Sequence, residues 1–472
     1  MRASLKAEQA GVRSVSVVTT AFMAHAQAAA RGLGIRTSAI AEYPGVIPTE
    51  SPADFDRKIR TLLVERIIDG FAAPMEAIER PPEPAPRDIV FRGDYEAVQE
   101  HCLRELWSDG LPVTPPTLAA VERFLRYTDR DPAEVLGVLL PETRQATVWN
   151  VAVNGAMAGC RPEYMPVLIA VVEAICEPGF HIEHGGSTPG WEPIILLNGP
   201  IIGQLDFNHG QGVTRVGRQA NSSVGRFLRL YMRNVAGLRV APGTGDKATF
   251  GLMFNAVLAE DEAAARAIAW PTHAMERGFA EGENVVEVRS MHGVAPINFT
   301  EGSTAEPHLS VIADKAQRFL CDWTAPCIYM GGFHHLLVLS PAIAEVLARN
   351  GMTKAGLRDY LYRNARVGAA RAKAYLVDKV EVDYHDLVRR GLLSPDFALS
   401  DDPDRLIPVL LNREGIGVVV AGDPGRNQSR WYAGLHIMGA PTSRRIRLPA
   451  NWEALRREPG FGGPLLNSAA AS

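Results

Sequence analysis

Apolar positions change their period several times along this chain, and each change marks an element. Ser14–Thr20 reads as a β-strand and Ala21–Arg31 as an alanine-rich helix closed by Gly32. Thr37–Tyr43 reads as a second strand, and Phe55–Ile68 as an amphipathic helix. Strand, helix and strand at this spacing predict a parallel βαβ pair. Such a pair is a fragment of a sheet, so its other strands should come from elsewhere in the chain or from a partner. The proline-rich, charged stretch Glu79–Arg87 predicts an extended linker and a first boundary.

Helices dominate the next segment. Tyr95–Trp107 is one, and Leu118–Tyr127 is another with Thr117 placed to cap it. Val167–Ile175 is almost wholly apolar, as a buried helix would be. The pattern then becomes mixed. Ile194–Leu197 and Phe250–Ala259 are strand-like, Asp261–Trp270 is helical, and Asn284–Arg289 alternates as a half-buried strand would. Residues 308–378 return to helices around the strand Leu336–Ser340. Gly417–Gly422 reads as a buried strand that runs into a polar loop, Asp423–Ser429, and the tail Gly460–Ser472 should be loosely held. The expected fold class is α/β: a truncated N-terminal βαβ unit (1–85), a mainly helical segment (86–190) and a larger mixed α/β body (191–472).

Composition narrows the class. The chain has 472 residues, 46% apolar and 22% charged, which is a globular composition with room for more than one core. A net charge of −4 gives no general electrostatic reason to bind nucleic acid. Cys102, Cys160, Cys176, Cys321 and Cys327 are irregularly spaced with no Cys-x-x-Cys, so no disulfide framework is expected and a reducing cytoplasm is the default. Neither a leader pattern nor an apolar run of membrane-spanning length is present, so no membrane is expected as a partner.

The most informative stretch is Asn198–Leu230. A strand runs into a glycine-rich polar loop, which feeds a helix opening near Asn221-Ser222-Ser223. Free N–H groups at a helix start, with Arg215, Arg218 and Arg226 close by, describe a site for a carboxylate or phosphate. Solvated or internally paired arginines are the alternative. The loop has neither Walker nor dinucleotide spacing, so no nucleotide cofactor is implied. Cys160, beside Arg161 and near Glu163, is either an activated thiol or a buried structural cysteine. His273 and Glu276 stand three apart and, on a helix, would share a face as a general-base pair. Asp246 and Lys247 form a further polar cluster, as substrate contacts or a plain salt bridge. His181, His184 and His209 are candidate metal ligands, although no motif binds them into one site.

Several segments in one order resemble the UGSC family of (seleno)proteins, named for a selenocysteine-or-cysteine, Gly, Ser, Cys motif. They are Thr19–Phe22 with Ala28–Gly34, Trp107–Thr117, Met157–Pro166, Asn198–Pro200, Arg218–Arg226, Gly245–Thr249 and Val420–Gly425. The resemblance implies a small N-terminal α/β domain and a thiol-based redox role. It also places Met1–Gly11 in the helix that follows the motif. No Cys-Gly-Ser-Cys occurs in this chain, so the redox role does not carry over residue by residue. Either a partner subunit supplies the motif and completes the sheet, or the chemistry lies in the C-terminal body.

These readings converge on a cytoplasmic metabolic enzyme acting on a small organic anion, a carboxylate, by lyase- or hydratase-type addition–elimination. Cys160, Glu163, His273 and Glu276 are the candidates for chemistry. Arg215, Arg218, Asn221, Ser222, Arg226, Asp246 and Lys247 are the candidates for binding. Two alternatives stand beside it: a thiol-dependent oxidoreductase, and a non-catalytic subunit that scaffolds a partner carrying the missing motif.

Overall fold

The computed structural model describes residues 4, 7–8, 10–32, 40–73, 83–240, 245–252, 256–327, 332–374 and 383–462. Its class is α/β, beginning with the short βαβ unit. The strands are β1 (Ser16–Thr19), β2 (Ile40–Tyr43), β3 (Val135–Leu139), β4 (Arg144–Thr147), β5 (Glu192–Asn198), β6 (Ala256–Ala259) and β7 (Val285–Val294). They continue with β8 (Asn298–Phe299), β9 (Leu336–Leu339), β10 (Arg366–Gly368), β11 (Leu406–Pro408), β12 (Gly417–Val420), β13 (Gln428–Gly434) and β14 (Thr442–Arg445).

At the N-terminus β1 and β2 pair in parallel, with the helix Met23–Gly32 between them in sequence. Of the stretch Met1–Gly11, residues 4, 7 and 8 are helical and the rest is largely outside the described residues. The amphipathic helix is longer than its pattern suggests. It starts at Pro52, where Ser51 accepts a hydrogen bond from the Asp54 N–H, and passes through a wider turn at Ile59–Leu63 before ending at Ala72. Residues 79–82 of the expected linker lie outside the described residues; 83–85 have no regular structure.

The body is organised by one mixed sheet in the order β12-β9-β13-β7-β5-β6, with β14 beside the first half of β7. β5 is parallel to β6, and β9 to β12, while β7 runs antiparallel to β5 and β13. Side chains alternate between two environments. Ile194 and Leu196 of β5, Leu336 and Val338 of β9, and Val419 of β12 share one cluster with residues of β6, β7 and β13. The opposite faces of these strands meet helices. Ile195 and Leu197 pack with the helices Val148–Met157, Met165–Ile175 and Gln219–Tyr231. Leu337, Leu339, Val418 and Val420 pack with the helices Ala305–Cys327, Pro341–Arg349 and Lys354–Asn364. The two ends of the strand order meet, because the Asp261 N–H beyond β6 donates to the Val420 carbonyl of β12 at 2.8 Å. The sheet therefore curls towards a barrel whose inside is the shared cluster.

That curl corrects one expectation. Asn284–Arg289 alternates, yet β7 is buried on both faces through Met291. Its polar face, Glu287 and Arg289, points inward rather than to water. Arg289 reaches across to β12, where a Cβ on Gly417 would stand 2.8 Å from its Nη2, so a side chain there would collide with the guanidinium. Among the described residues of Phe250–Ala259 the strand is Ala256–Ala259, and Phe250 is 97% exposed. The first helical cluster runs from Cys102 to Leu455 and draws on both 86–190 and the later body. The helix Met165–Ile175 is buried within it. Among the described residues no single helix is long and apolar enough to cross a membrane.

Candidate active site at the mouth of the curled sheet

The glycine-rich loop after β5 folds back over the end of the sheet where β6 and β12 meet. Asn221, in the first turn of the helix Gln219–Tyr231, is its peg. The Asn221 Oδ1 accepts from the Asn208 N–H at 2.8 Å, and its Nδ2 donates to the carbonyls of Asn208 and Val257 at 3.1 Å each. Val213 enters the inner cluster, and the Gly422 N–H donates to the His209 carbonyl at 2.8 Å. The second polar loop, Asp423–Ser429, follows directly from Gly422, whose φ of +105° suits glycine. Two loops read separately in the sequence thus meet at one mouth.

His209 is brought to Asp261 there. Its Nδ1 lies 3.6 Å from Asp261 Oδ2, and the imidazole is 45% exposed. At that distance the pair is an ionic contact rather than a closed hydrogen bond. The Asp261 carboxylate raises the His209 pKa above the ordinary imidazole value, and burial only partly offsets this. His209 in turn lowers Asp261, which also caps the helix Glu262–Ala267 by accepting from the Ala264 N–H. A half-exposed imidazole oriented by a buried-side carboxylate is a proton carrier in form.

Cations lie on both loops and on β13. The side chains of Thr214 and Arg430 both reach the Tyr432 hydroxyl, which burial keeps protonated. Arg430 has no hydrogen-bond partner on its Nε. Arg215 follows Thr214 and is exposed, and among the described residues the Arg426 guanidinium donates to the neighbouring Gly425 carbonyl at 3.2 Å. Among the described residues none of these three arginines forms an ion pair. The one carboxylate of the second loop, Asp423, accepts from the Gly425 N–H at 2.8 Å. Unpaired guanidinium groups beside a proton carrier can hold a small anion.

The other expected anion ligands do different work. Arg218 pairs with Asp206 at 3.0 Å. Arg226 makes a two-pronged pair with Asp109 at 2.8 and 2.9 Å and also reaches the Pro112 carbonyl. Ser222 accepts from the Gly217 N–H at 3.1 Å, so it closes the loop onto the helix. Asp246 and Lys247 lie at the opposite end of β5, where Asp246 accepts from the Ala248 N–H and the Lys247 N–H donates to Gly186.

The expected catalytic groups are also reassigned. Cys160 does sit beside the helix Gln219–Tyr231, touching Ser223, but burial pushes its thiol up to about 12. Glu163 accepts from Arg161 Nε at 2.5 Å and from the Gly462 N–H at 3.0 Å, which ties down the chain near its end. His273 and Glu276 are not partners. His273 Nε2 is 2.8 Å from Glu287, while Glu276 pairs with Arg358 at 2.8 Å and with Lys354 at 3.5 Å. They belong to a buried charge network in which Arg277, Arg289 and His273 surround Glu287, and Lys354 and Asn198 hold Glu260. Of the candidate metal ligands, His181 and His184 lie together with Glu183, and His209 is not with them.

Asp261, Thr214, Arg426, Arg430 and Tyr432 were not legible as site residues. The one available signal was the second glycine loop, which carries Arg426 and leads into the strand bearing Arg430 and Tyr432. Comparison of the chain with protein-family models, with curated proteins and with solved structures finds no match.

Proposed function

We propose that this chain is a metabolic enzyme, cytoplasmic in setting, that acts on a small carboxylate by addition–elimination. The observation that carries the reading is the His209–Asp261 pair on two segments that meet the second polar loop, with Arg215 and Arg426 on the two loops and Arg430 on β13, none of them in an ion pair among the described residues. Arg215 and Arg430 hold the substrate carboxylate. Neutral His209 accepts the proton from the adjacent carbon, and the arginines hold the negative charge that grows on the carboxylate. The imidazolium, favoured by Asp261, then gives that proton to the departing hydroxide, so one water leaves and one double bond forms. In the hydration direction the same groups run in reverse. The likeness to the UGSC family enters as a proposal about descent and contributes no residue to this mechanism.

The test is titration of His209 by NMR with and without a panel of small hydroxy- and unsaturated carboxylates. A bound carboxylate should raise the His209 pKa further, and turnover should follow the change in double-bond absorbance. A His209 pKa indifferent to every member, with no turnover, would sink the reading.

A second reading is favoured by the N-terminal unit. Among the described residues β1 and β2 pair only with each other. The helix Val64–Ala72 leaves Val64, Ile68 and Phe71 exposed. An open two-stranded sheet with an apolar helix face beside it suits a partner subunit that adds strands. Native mass analysis of protein taken from its own host tests this. A stable complex with an inactive isolated chain supports a scaffold role, and activity of the isolated chain alone removes it.

A further inference from the structure

The turn between the helix Met165–Ile175 and β5 holds a cluster that the mouth chemistry does not use. Two single 3₁₀ turns, Pro178–Phe180 and Ile182–His184, follow one another with His181 between them. Phe180 and Ile182 are buried, and Phe180 packs edge-on to Trp191. With Phe180 and Ile182 buried, His181 and His184 are exposed and Glu183 is half-buried. His181, the cap of the second turn, and His184, its last residue, bring their rings together at a tilt of 48°. Their ring centroids are 6.1 Å apart, and His181 Nδ1 is 3.5 Å from Glu183 Oε1. One donor atom from each of the three side chains lies within 4.8 Å of the others.

We propose that His181, Glu183 and His184 bind a divalent transition-metal ion, Zn2+ before others, with a water in the fourth position. Two imidazoles and one carboxylate are a known zinc donor set with an open position, and imidazole selects for this part of the transition series over Mg2+ or Ca2+. Around Zn2+ at about 2.0–2.1 Å, tetrahedral donors would be roughly 3.4 Å apart. His181 has φ 55° and ψ 45°, a left-handed conformation uncommon for a residue with a side chain. The Gly439 position packs against the His181 ring, where a Cβ would come within 2.9 Å of Cδ2.

The test uses the full chain, stripped with a chelator and dialysed against Zn2+ alone. One equivalent should bind. His181→Asn suits the left-handed backbone and removes a ligand; His184→Gln and Glu183→Gln remove the others. Each should weaken binding by at least the roughly 10–100-fold seen when an outer-shell partner of a metal site is lost. Far-UV circular dichroism without metal should match the parent, which separates ligand loss from misfolding. His209→Gln should bind Zn2+ as the parent does. No Zn2+ bound by the parent, or unchanged affinity in the His181→Asn, His184→Gln double variant, would overturn the proposal.

Discussion

His209 Nδ1 stands 3.6 Å from Asp261 Oδ2, so a glycine-rich loop and the cap of a helix meet in one ionic contact. Asp261→Asn separates charge from cap, since asparagine still caps a helix. The His209 pKa should fall towards the ordinary imidazole value. Because the folded pKa is raised, this pair contributes stability that is fully present below about pH 6.5, the unfolded value, and is lost as pH rises through the folded value. Asp261→Asn should therefore cost stability at pH 6 and little at pH 8.5. Urea unfolding at the two pH values checks this, and an equal loss at both would contradict it.

The arginines divide by their partners. Arg430 has no partner on its Nε, and Arg215 has no ion pair among the described residues. Arg215→Ala or Arg430→Gln should weaken binding of the active carboxylate by about 1.5–3 kcal/mol and leave the unfolding midpoint nearly unchanged. Arg226 is tied to Asp109 by two hydrogen bonds of 2.8 and 2.9 Å. Arg226→Ala should lower stability by roughly 1–3 kcal/mol, since Asp109 loses a charged partner. Calorimetric binding and denaturant curves on the same proteins separate the two effects.

Glu287 is the anionic centre of the buried network. Burial alone would raise its pKa, yet Arg289, His273 and Arg277 hold it well below the usual carboxylate range. Glu287→Gln leaves the buried Arg289 and the partly exposed Arg277 underpaired. The expected loss is about 3–5 kcal/mol, the cost of breaking a buried pair on one side. Denaturant unfolding measures it, and a loss under about 1 kcal/mol, the range of surface pairs, would mean that water already reaches Glu287.

The difference between these arginines was not legible in sequence. Arg218 has its carboxylate, Asp206, in the same loop, whereas Arg226 finds Asp109 in a distant segment. Residue type and spacing do not reveal which arginine the fold will pair. Local pattern did carry the apolar run of β5, the cap at Thr117 and the parallel β1–β2 pair. It misread β7, because alternation reports two different faces and not which of them meets water. His209 and Asp261 were both noticed, one as a metal candidate and the other as a helix start. Only the curl that joins β6 to β12 makes them neighbours.

Cys160 tests the thiol reading directly. Burial pushes its thiol up to about 12, and the nearby Ser223 and Arg226 only partly offset this. The reactive species is the thiolate, which is then scarce at neutral pH. Native protein should therefore react with iodoacetamide at Cys160 far more slowly than denaturant-unfolded protein, as peptide mass spectrometry would show. Rapid labelling of Cys160 in the folded state would restore it as a nucleophile.

Acid should open the body through its histidines. His335 on the approach to β9 is held at about 3, and His292, His334 and His436 at about 4, by burial first in each case. They sit at one end of the sheet: Phe333 stacks on His335 and packs against His436, and His292 Nδ1 meets the Gly434 carbonyl at 3.1 Å. Other charges face this group, since Arg289 donates to the carbonyls of His334 and His335. A folded pKa below the unfolded value near 6.5 means that the unfolded chain takes up protons first. Stability is then unaffected above about pH 6.5 and falls as pH drops from there towards 4, by about 1.4 kcal/mol per histidine for each unit of separation traversed. Urea unfolding between pH 7 and pH 4.5 should show this decline, and His335→Asn should shallow its slope relative to its own value at pH 7. A slope unchanged by that substitution would mean that His335 is not among the groups whose protonation opens the fold.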